Sequence, residues 1–388
     1  MEYAGVGPDV RLASMNTSAL HRISRIAALA CLATFASLSA EAAAKDIPAT
    51  QKQYRLVRDG DGHGYELELT DAAVRLPGDH EVLIRVRATS LNRRDVFVMK
   101  GQYPVGSRDS IVPLSDGAGE IVATGHGVTR FRVGDRVAGI FFQNWLSGRP
   151  PEKVASGALG GSLDGMLTQY ATLNEQGVVH LPKSLSFEEG ATLPCVGVTA
   201  WNGLFTRGRI QPGDYVLLEG TGGVSTFGLQ LALAAGAKPI ITSSSDAKLE
   251  RAKALGAFGT INYKTTPDWE KQVLALTGGV GAHEVLEVGG KDTLPHALAS
   301  VAPGGDIALI GGLGGFGGNI PALQLLDRNV NVSGIYVGSR ENFEALNAFI
   351  DKHQVKPVID KVFDFKDAPA AYELMESDQF LGKIVIRL

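Results

Sequence analysis

Beyond residue 46, short runs of alternating apolar and polar residues mark the first part of the chain. They cover residues 81–88, 119–124, 136–140, 169–173 and 178–181, with turn residues between them. A period of two describes strands with one buried face, so this part predicts a mostly-β barrel or sandwich. Residues 182–191 (PKSLSFEEGA) read as a helix start capped by Ser186. The pattern then changes. An apolar run at 215–219 meets a glycine-rich turn, and the turn opens an alanine-rich helix that stops at Gly236. Further apolar, β-rich runs follow at 239–243, 257–262, 284–290, 306–315 and 331–336, separated by helical segments such as DAKLERAKALG, for which Asp246 is the expected N-cap. Buried strands alternating with helices predict a parallel, doubly wound sheet. A helix around 342–352 and a closing strand at 382–388 complete the chain, the strand returning to the first domain. The expected fold class is therefore α/β. A mostly-β domain spans 46–185, a doubly wound domain spans 186–330, and a C-terminal segment spans 331–388.

The turn after the first of these parallel strands reads GTGGVS, residues 220–225. Gly220 permits a tight turn. Gly222 and Gly223 let backbone N–H groups approach a pyrophosphate, and Val224 continues the helix whose N-terminus carries partial positive charge. Ser225 stands at the third glycine of a G-x-G-x-x-G pattern and is still small. The same residues also suit an ordinary turn between strand and helix. At the tip of the second strand, an NAD enzyme carries an acidic residue for the ribose hydroxyls. This chain has Thr242, Ser243, Ser244 and Ser245, with Lys248 one turn later. Hydroxyls and an ammonium suit a 2′-phosphate, so NADP(H) is expected. Helix capping would also account for the serines, and Asp246 would serve NAD if the strand ended later.

Length changes the picture only in confirming room for two domains: 388 residues exceed what one core usually fills. A net charge of −4 gives no nucleic-acid footprint. Two cysteines, Cys31 and Cys195, exclude a disulfide framework. Residues 1–44 stand apart. His21, Arg22 and Arg25 precede a 13-residue, mostly apolar stretch at 26–38, and small-x-small sites at 40–42 and 42–44 follow. This is the layout of a secretory signal peptide, with Met15 a better start than Met1. A periplasmic or secreted protein with no membrane anchor after cleavage is expected; a cytoplasmic protein with an uncleaved extension is the alternative.

From about Gln53 to Leu388 the chain resembles the medium-chain dehydrogenase/reductase superfamily. The residues that carry the likeness are LNRRDVFVMKGQYP (91–104), PLSDGAGEIVATGHGVTRFRVGDRV (113–137), ATLPCVGVTAW (191–201) and GTGGVS (220–225). The resemblance implies a GroES-like catalytic domain, a Rossmann domain and an active site in the cleft between them. Zinc-dependent members carry Cys where this chain has Asn92 and His-Glu where it has Ser115-Asp116; their third ligand matches Cys195. The cysteines of a structural zinc lobe are absent from 142–164. The likeness is thus to the zinc-free branch of quinone and enoyl reductases, some described as zinc-type alcohol dehydrogenase-like. It implies hydride transfer from NADPH to a quinone or to a conjugated enone or enoyl group. Tyr103, in Gly-Gln-Tyr-Pro, matches a tyrosine implicated in proton donation, and Asn92 would offer its amide in the cleft. Tyr103 also reads as a packing residue beside a turn proline, and Asn92 as a loop amide. Arg93 and Arg94 replace the His and Ser/Thr of an alcohol dehydrogenase proton relay and are expected to be solvated. By motif position, Thr199 would lie near the nicotinamide, Tyr263 near the adenosine phosphate, and Gly289, Gly290, Gly311 and Gly312 along the cofactor groove. No metal is expected, and a homodimer acting on a small molecule is. A zinc-free alcohol dehydrogenase or aldehyde reductase, or a non-catalytic cofactor-binding member, remains open. Residues 141–165, which would line the pocket, carry no readable substrate code.

Overall fold

Residues 81–90 are the longest alternating run, and they lie at the centre of the largest sheet. The computed structural model describes residues 5, 47–60, 62–103, 108–315, 317 and 320–388. The leader read over residues 1–44 therefore lies outside the described residues, Gly5 apart. Pro48–Leu388 form one compact unit. In it, β1 (Thr50–Arg58) and β2 (Tyr65–Ala73) form an antiparallel hairpin that β4 (Ser110–Ile111) joins through β1. β3 (Glu81–Ser90) pairs with β5 (Asp116–Thr124) and with β7 (Tyr170–Asn174). β5 pairs with β6 (Arg136–Gly139), and β6 with β8 (Val178–His180). The sheet is finished from far along the chain: β15 (Ile359–Asp364) lies parallel to β16 (Lys383–Arg387), and β16 runs antiparallel to β3. The expected return of the last strand to the first domain is what the register shows.

The second sheet is wholly parallel. β9 (Tyr215–Leu218), β10 (Lys238–Ser243), β11 (Gly259–Asn262), β12 (Ala282–Glu287), β13 (Val301–Leu309) and β14 (Asn331–Gly334) stand in the order β11-β10-β9-β12-β13-β14. This order reverses beside β9, and the crevice at that reversal is where doubly wound sheets bind nucleotides. β12 and β13 end at Glu287 and Leu309, earlier than the apolar pattern predicts, because residues 288–290 and 310–315 belong to turns. A continuous apolar core joins the two sheets. Ala88 and Ala118 of the first and Val216 and Leu218 of the second belong to one cluster with Phe142, Leu193, Phe227 and Val385.

Two local features set up the site. Residues 193–207 are helical, but Leu193–Gly197 and Asn202–Arg207 are π-wound on either side of Val198–Trp201. Such wide turns often mark functional segments. Gly382, with φ of +86°, bends the chain into β16. Its N–H donates to the Thr221 carbonyl at 3.0 Å, and it forms a β-bridge with Gly222. The closing strand is thus tied to the glycine-rich turn.

Candidate active site

Three neighbouring strand ends assemble the first corner. β3 passes through Leu91 and Asn92 into helix α1 (Arg93–Met99), β5 begins at Asp116, and β16 begins at Lys383. The pairing of Ser90 with both Asp116 and Val385 sets these ends side by side. The Asp95 carboxylate accepts from the Asn92 backbone N–H at 2.8 Å, fixing the start of α1. The Lys383 ammonium donates to Asn92 Oδ1 at 2.6 Å and to the Leu91 carbonyl at 2.6 Å. It also lies 3.4 Å from Asp116 Oδ2. Ser115 Oγ donates to Asp116 Oδ1 at 2.7 Å. Asn92 Nδ2 meets Ser115 Oγ at the long distance of 3.5 Å. Asn92, Ser115, Asp116 and Lys383 are all buried. The Cys195 backbone N–H approaches Asp116 Oδ2 at 3.4 Å. Burial, then the Asp116 carboxylate, pushes the Cys195 thiol well above its ordinary range, so it stays protonated.

These residues do not fit zinc. Zn²⁺ takes thiolate, imidazole and carboxylate donors at about 2.0–2.3 Å. The matching positions hold an amide, a hydroxyl, a carboxylate and a single thiol, and a lysine ammonium already neutralises the carboxylate. Among the described residues, no group of three or more His, Cys, Asp or Glu side chains is placed to hold a metal.

The second corner is aromatic. The Tyr103 hydroxyl lies 3.0 Å from the Tyr336 hydroxyl. Tyr336 also packs edge-on against Phe142, with centroids 4.8 Å apart. Burial raises the Tyr103 phenol far above its ordinary value, and the Arg94 guanidinium opposes that rise. The guanidinium stands 5.1 Å from the Tyr103 ring centroid and 4.8 Å from that of Phe141. Arg94, expected from sequence to be solvated, is instead buried and donates to the carbonyls of Leu159 at 2.9 Å and Gly160 at 3.3 Å. A planar fork on two carbonyls ties the chain at Leu159 and Gly160 to α1 beside the tyrosine. Arg93 is not free in solvent either; it pairs with the Asp378 carboxylate.

The third corner is the glycine-rich turn. Gly220 has φ of +72°, and a Cβ at Gly220 or Gly222 would point into open space. Gly223 begins the 12-residue helix α2 (Gly223–Ala234), Val224 is its second residue, and Ser225 Oγ donates to the Glu219 carbonyl at 2.5 Å. An open cradle before a helix N-terminus fits a dinucleotide pyrophosphate. At the β10 tip, Thr242 Oγ accepts from Gly220 N–H at 3.1 Å, and Ser243 Oγ lies 3.4 Å from Thr221 Oγ. Ser244 is exposed. Ser245, rather than Asp246, is the N-cap of helix α3 (Asp246–Ala254), accepting from Lys248 N–H at 3.4 Å. Asp246 instead accepts from Asn262 Nδ2 at 2.6 Å. The Lys248 ammonium donates to the Asp378 carbonyl at 2.5 Å. Tyr263 is exposed, with its backbone N–H on the Ser243 carbonyl at 3.1 Å.

At the tips of β12 and β13, glycines meet face to face. A Cβ on Gly290 would lie 2.8 Å from Gly312 Cα, and one on Gly311 would lie 2.4 Å from the Val288 carbonyl oxygen. Gly289 and Gly290 donate their N–H groups to Glu287 Oε1 at 3.0 and 2.8 Å. Thr199 is buried in the π-flanked helix, its hydroxyl donating to the Cys195 carbonyl at 2.8 Å. Two groups escaped the sequence. One is Lys383, whose only local signal is a cation at the start of an otherwise apolar run, residues 384–386. The other is the buried pair Glu219 and Glu287 beneath the glycine turns, marked by carboxylates at two strand ends.

Comparison with known proteins follows this geometry. Residues 78–183 match the alcohol dehydrogenase GroES-like domain, and residues 223–352 match the zinc-binding dehydrogenase domain. A zinc-type alcohol dehydrogenase-like protein of Schizosaccharomyces pombe is 49% identical over 314 residues, covering 79% of this chain and 91% of that protein. A solved Sinorhizobium meliloti 1021 protein assigned as an alcohol dehydrogenase superposes with a TM-score of 0.83 at 40% identity, over 88% of this chain and 100% of its own. A solved NAD-dependent alcohol dehydrogenase gives 0.77 at 34% identity, over 87% and 99%.

Proposed function

We propose a reaction for this chain from one premise: it belongs to the medium-chain dehydrogenase/reductase superfamily, and it is an oxidoreductase with a GroES-like domain and an NAD(P)-binding Rossmann fold. The reaction is zinc-free reduction, by NADPH, of a quinone or of an alkene conjugated to a carbonyl. The observation that carries this reading is the Asn92–Lys383–Asp116 cluster, which puts an amide donor and an internal cation where zinc-dependent members hold metal. The bound cofactor supplies hydride. Reduction at the β-carbon leaves negative charge on the substrate oxygen, and an Asn92 N–H directed at that oxygen stabilises the charge. The protonated Tyr103 phenol supplies the proton that completes the reduction. Thr242–Ser245 and Lys248 recognise the 2′-phosphate, with Tyr263 beside the adenosine and Thr199 beside the nicotinamide. Residues 46–185 carry the catalytic groups, and residues 186–330 the cofactor.

A second reading is zinc-free alcohol oxidation or aldehyde reduction; the likeness to the solved NAD-dependent alcohol dehydrogenase favours it. The experiment is a turnover screen of quinones, enones, enoyl thioesters, aldehydes and alcohols with NADPH and NADH, with and without a zinc chelator. Chelator-resistant, NADPH-driven reduction of quinones or enones is expected. Turnover confined to alcohols and aldehydes, or lost with the metal, would overturn the reading. Two further proposals belong here: the chain works as a homodimer, and it is exported, with its mature N-terminus at Ala43 or Lys45. Light scattering checks the first. N-terminal sequencing of fractionated cells checks the second, and an intact Met15 in the soluble cytoplasmic fraction would refute export.

A further inference from the structure

We propose that Lys383 is a positioning residue: its buried ammonium fixes the Asn92 carboxamide with Nδ2 as the donor offered to the substrate oxygen. The proposal rests on the reductase reading for what Asn92 meets, though not for how Asn92 is held.

A carboxamide is nearly symmetric in shape, so packing alone does not decide which end points where. Charge decides it here. An ammonium has three donors and no acceptor. With Lys383 Nζ at 2.6 Å, the near atom of Asn92 must be the oxygen; a flipped amide would set NH₂ against NH₃⁺. The three ammonium donors are taken up by Leu91, Asn92 and, at 3.4 Å, Asp116. The lysine side chain is 4% exposed and the Asp116 side chain 0%, so the pair is shielded from solvent. The next link has one direction too. Ser115 gives its proton to Asp116 at 2.7 Å, so its oxygen is left to accept, and the Asn92 contact with it is long at 3.5 Å. Asn92 Nδ2 therefore keeps at least one N–H uncommitted. A cation on the amide oxygen also draws density from the nitrogen and strengthens that N–H as a donor. The positive charge that a metal would present directly is thus set behind an amide.

One competing role is visible. A Cβ on Gly223 would lie 2.9 Å from Lys383 Cδ, so the lysine stem passes beside the glycine-rich turn. An ammonium serving the cofactor phosphates would be felt in cofactor affinity; one serving Asn92 would be felt in kcat.

The test uses the whole enzyme. Lys383→Met should lower kcat about 100-fold at saturating NADPH, within the range for losing an oriented charge-stabilising donor. NADPH Kd, from nicotinamide fluorescence, should stay within about threefold. In an Asn92→Ala background, Lys383→Met should cost nothing further. Because Lys383→Met strands the Asp116 charge, Lys383→Met with Asp116→Asn serves as a folded control, and its kcat loss should be as large. In the resting protein without substrate, the ¹⁵N–¹H carboxamide signals of Asn92 should shift in both Lys383 variants and exchange faster with solvent. Wild-type kcat in Lys383→Met, a loss confined to NADPH affinity, additivity with Asn92→Ala, or unchanged Asn92 signals would each overturn the proposal. A wild-type enzyme that reduces no acceptor would sink the reductase reading alone, and the carboxamide signals would still decide the role of the lysine.

Discussion

Glu219→Gln should make the protein more resistant to alkaline pH. Glu219 is the residue before Gly220, 3% exposed, and its Oε2 accepts from Val288 N–H at 3.3 Å. Glu287 faces it and already accepts the Gly289 and Gly290 N–H groups and the Thr293 hydroxyl through Oε1. If both carboxyls were ionised, Glu219 Oε1 and Glu287 Oε2 would lack any donor in a dry interior. A proton on Glu219 supplies one. Burial first, then the Glu287 charge, raises the Glu219 carboxyl well above its usual value. The sign follows from linkage. The folded protein keeps a proton that the unfolded chain releases above pH of about 4.5, so stability falls as pH rises. The slope approaches about 1.4 kcal/mol per pH unit for as long as the folded protein keeps the proton. A glutamine makes the same bonds with an NH₂ that never ionises. Denaturant midpoints at pH 5.5, 6.5 and 7.5 give the answer. Glu284, also buried and raised, tilts both proteins alike, so the difference between them is diagnostic. Parallel pH slopes for variant and wild type would refute the shared proton.

Asp95→Asn should show a related effect at lower pH. Burial raises Asp95 from 3.8 to about 6, so wild-type stability declines as pH rises through that window, and the variant should gain on the order of 3 kcal/mol relative to wild type between its ends. Urea titrations across that range check it. Lys248→Ala should weaken NADPH at least tenfold and NADH hardly at all, since charge-assisted contacts contribute about 1.5–3 kcal/mol; equal losses in fluorescence titrations would show that the lysine does not read the 2′-phosphate. Tyr103→Phe should lower kcat by about 100-fold or more with NADPH affinity unchanged; wild-type turnover would return the residue to a packing role.

The parallel sheet was legible because most of its strands carry a short apolar run closed by turn residues, and GTGGVS sits where the turn demands glycine. The closing strand was legible for the same reason. The β1–β2 hairpin was not. Tyr65, Leu67 and Leu69 of β2 alternate with Glu66 and Glu68, but the alternation ends at Thr70 and no residue of the strand is buried, so it gives no sign of a core-facing strand. The end of β10 at Ser243 is where the sequence puts it, but the cap of α3 is Ser245 rather than Asp246, because serine and aspartate both suit an N-cap and only the start of the helix decides between them. Arg94 looks like a solvent residue from its neighbours in sequence. Its partners, Leu159 and Gly160, come from a loop about 65 residues later, and no local pattern announces them. The site was half legible. Asn92, Tyr103 and the glycines stand in motifs, whereas the residue that orients Asn92 stands in none.

Asn92 and Lys383 are 291 residues apart in sequence. A flexible loop of that length would cost on the order of 5 kcal/mol in entropy to close. That cost falls only if the intervening chain has already folded and delivers Lys383 to its place. The order of events in folding follows. Before β16 docks, β3 and β5 can pair, and Asn92 and Asp116 can lie together without an ammonium between them. Until the last strand arrives, Asp116 lacks the counter-charge that Lys383 gives it in the folded protein. The strand that completes the first sheet is thus also the one that brings the ammonium to Asn92 and Asp116.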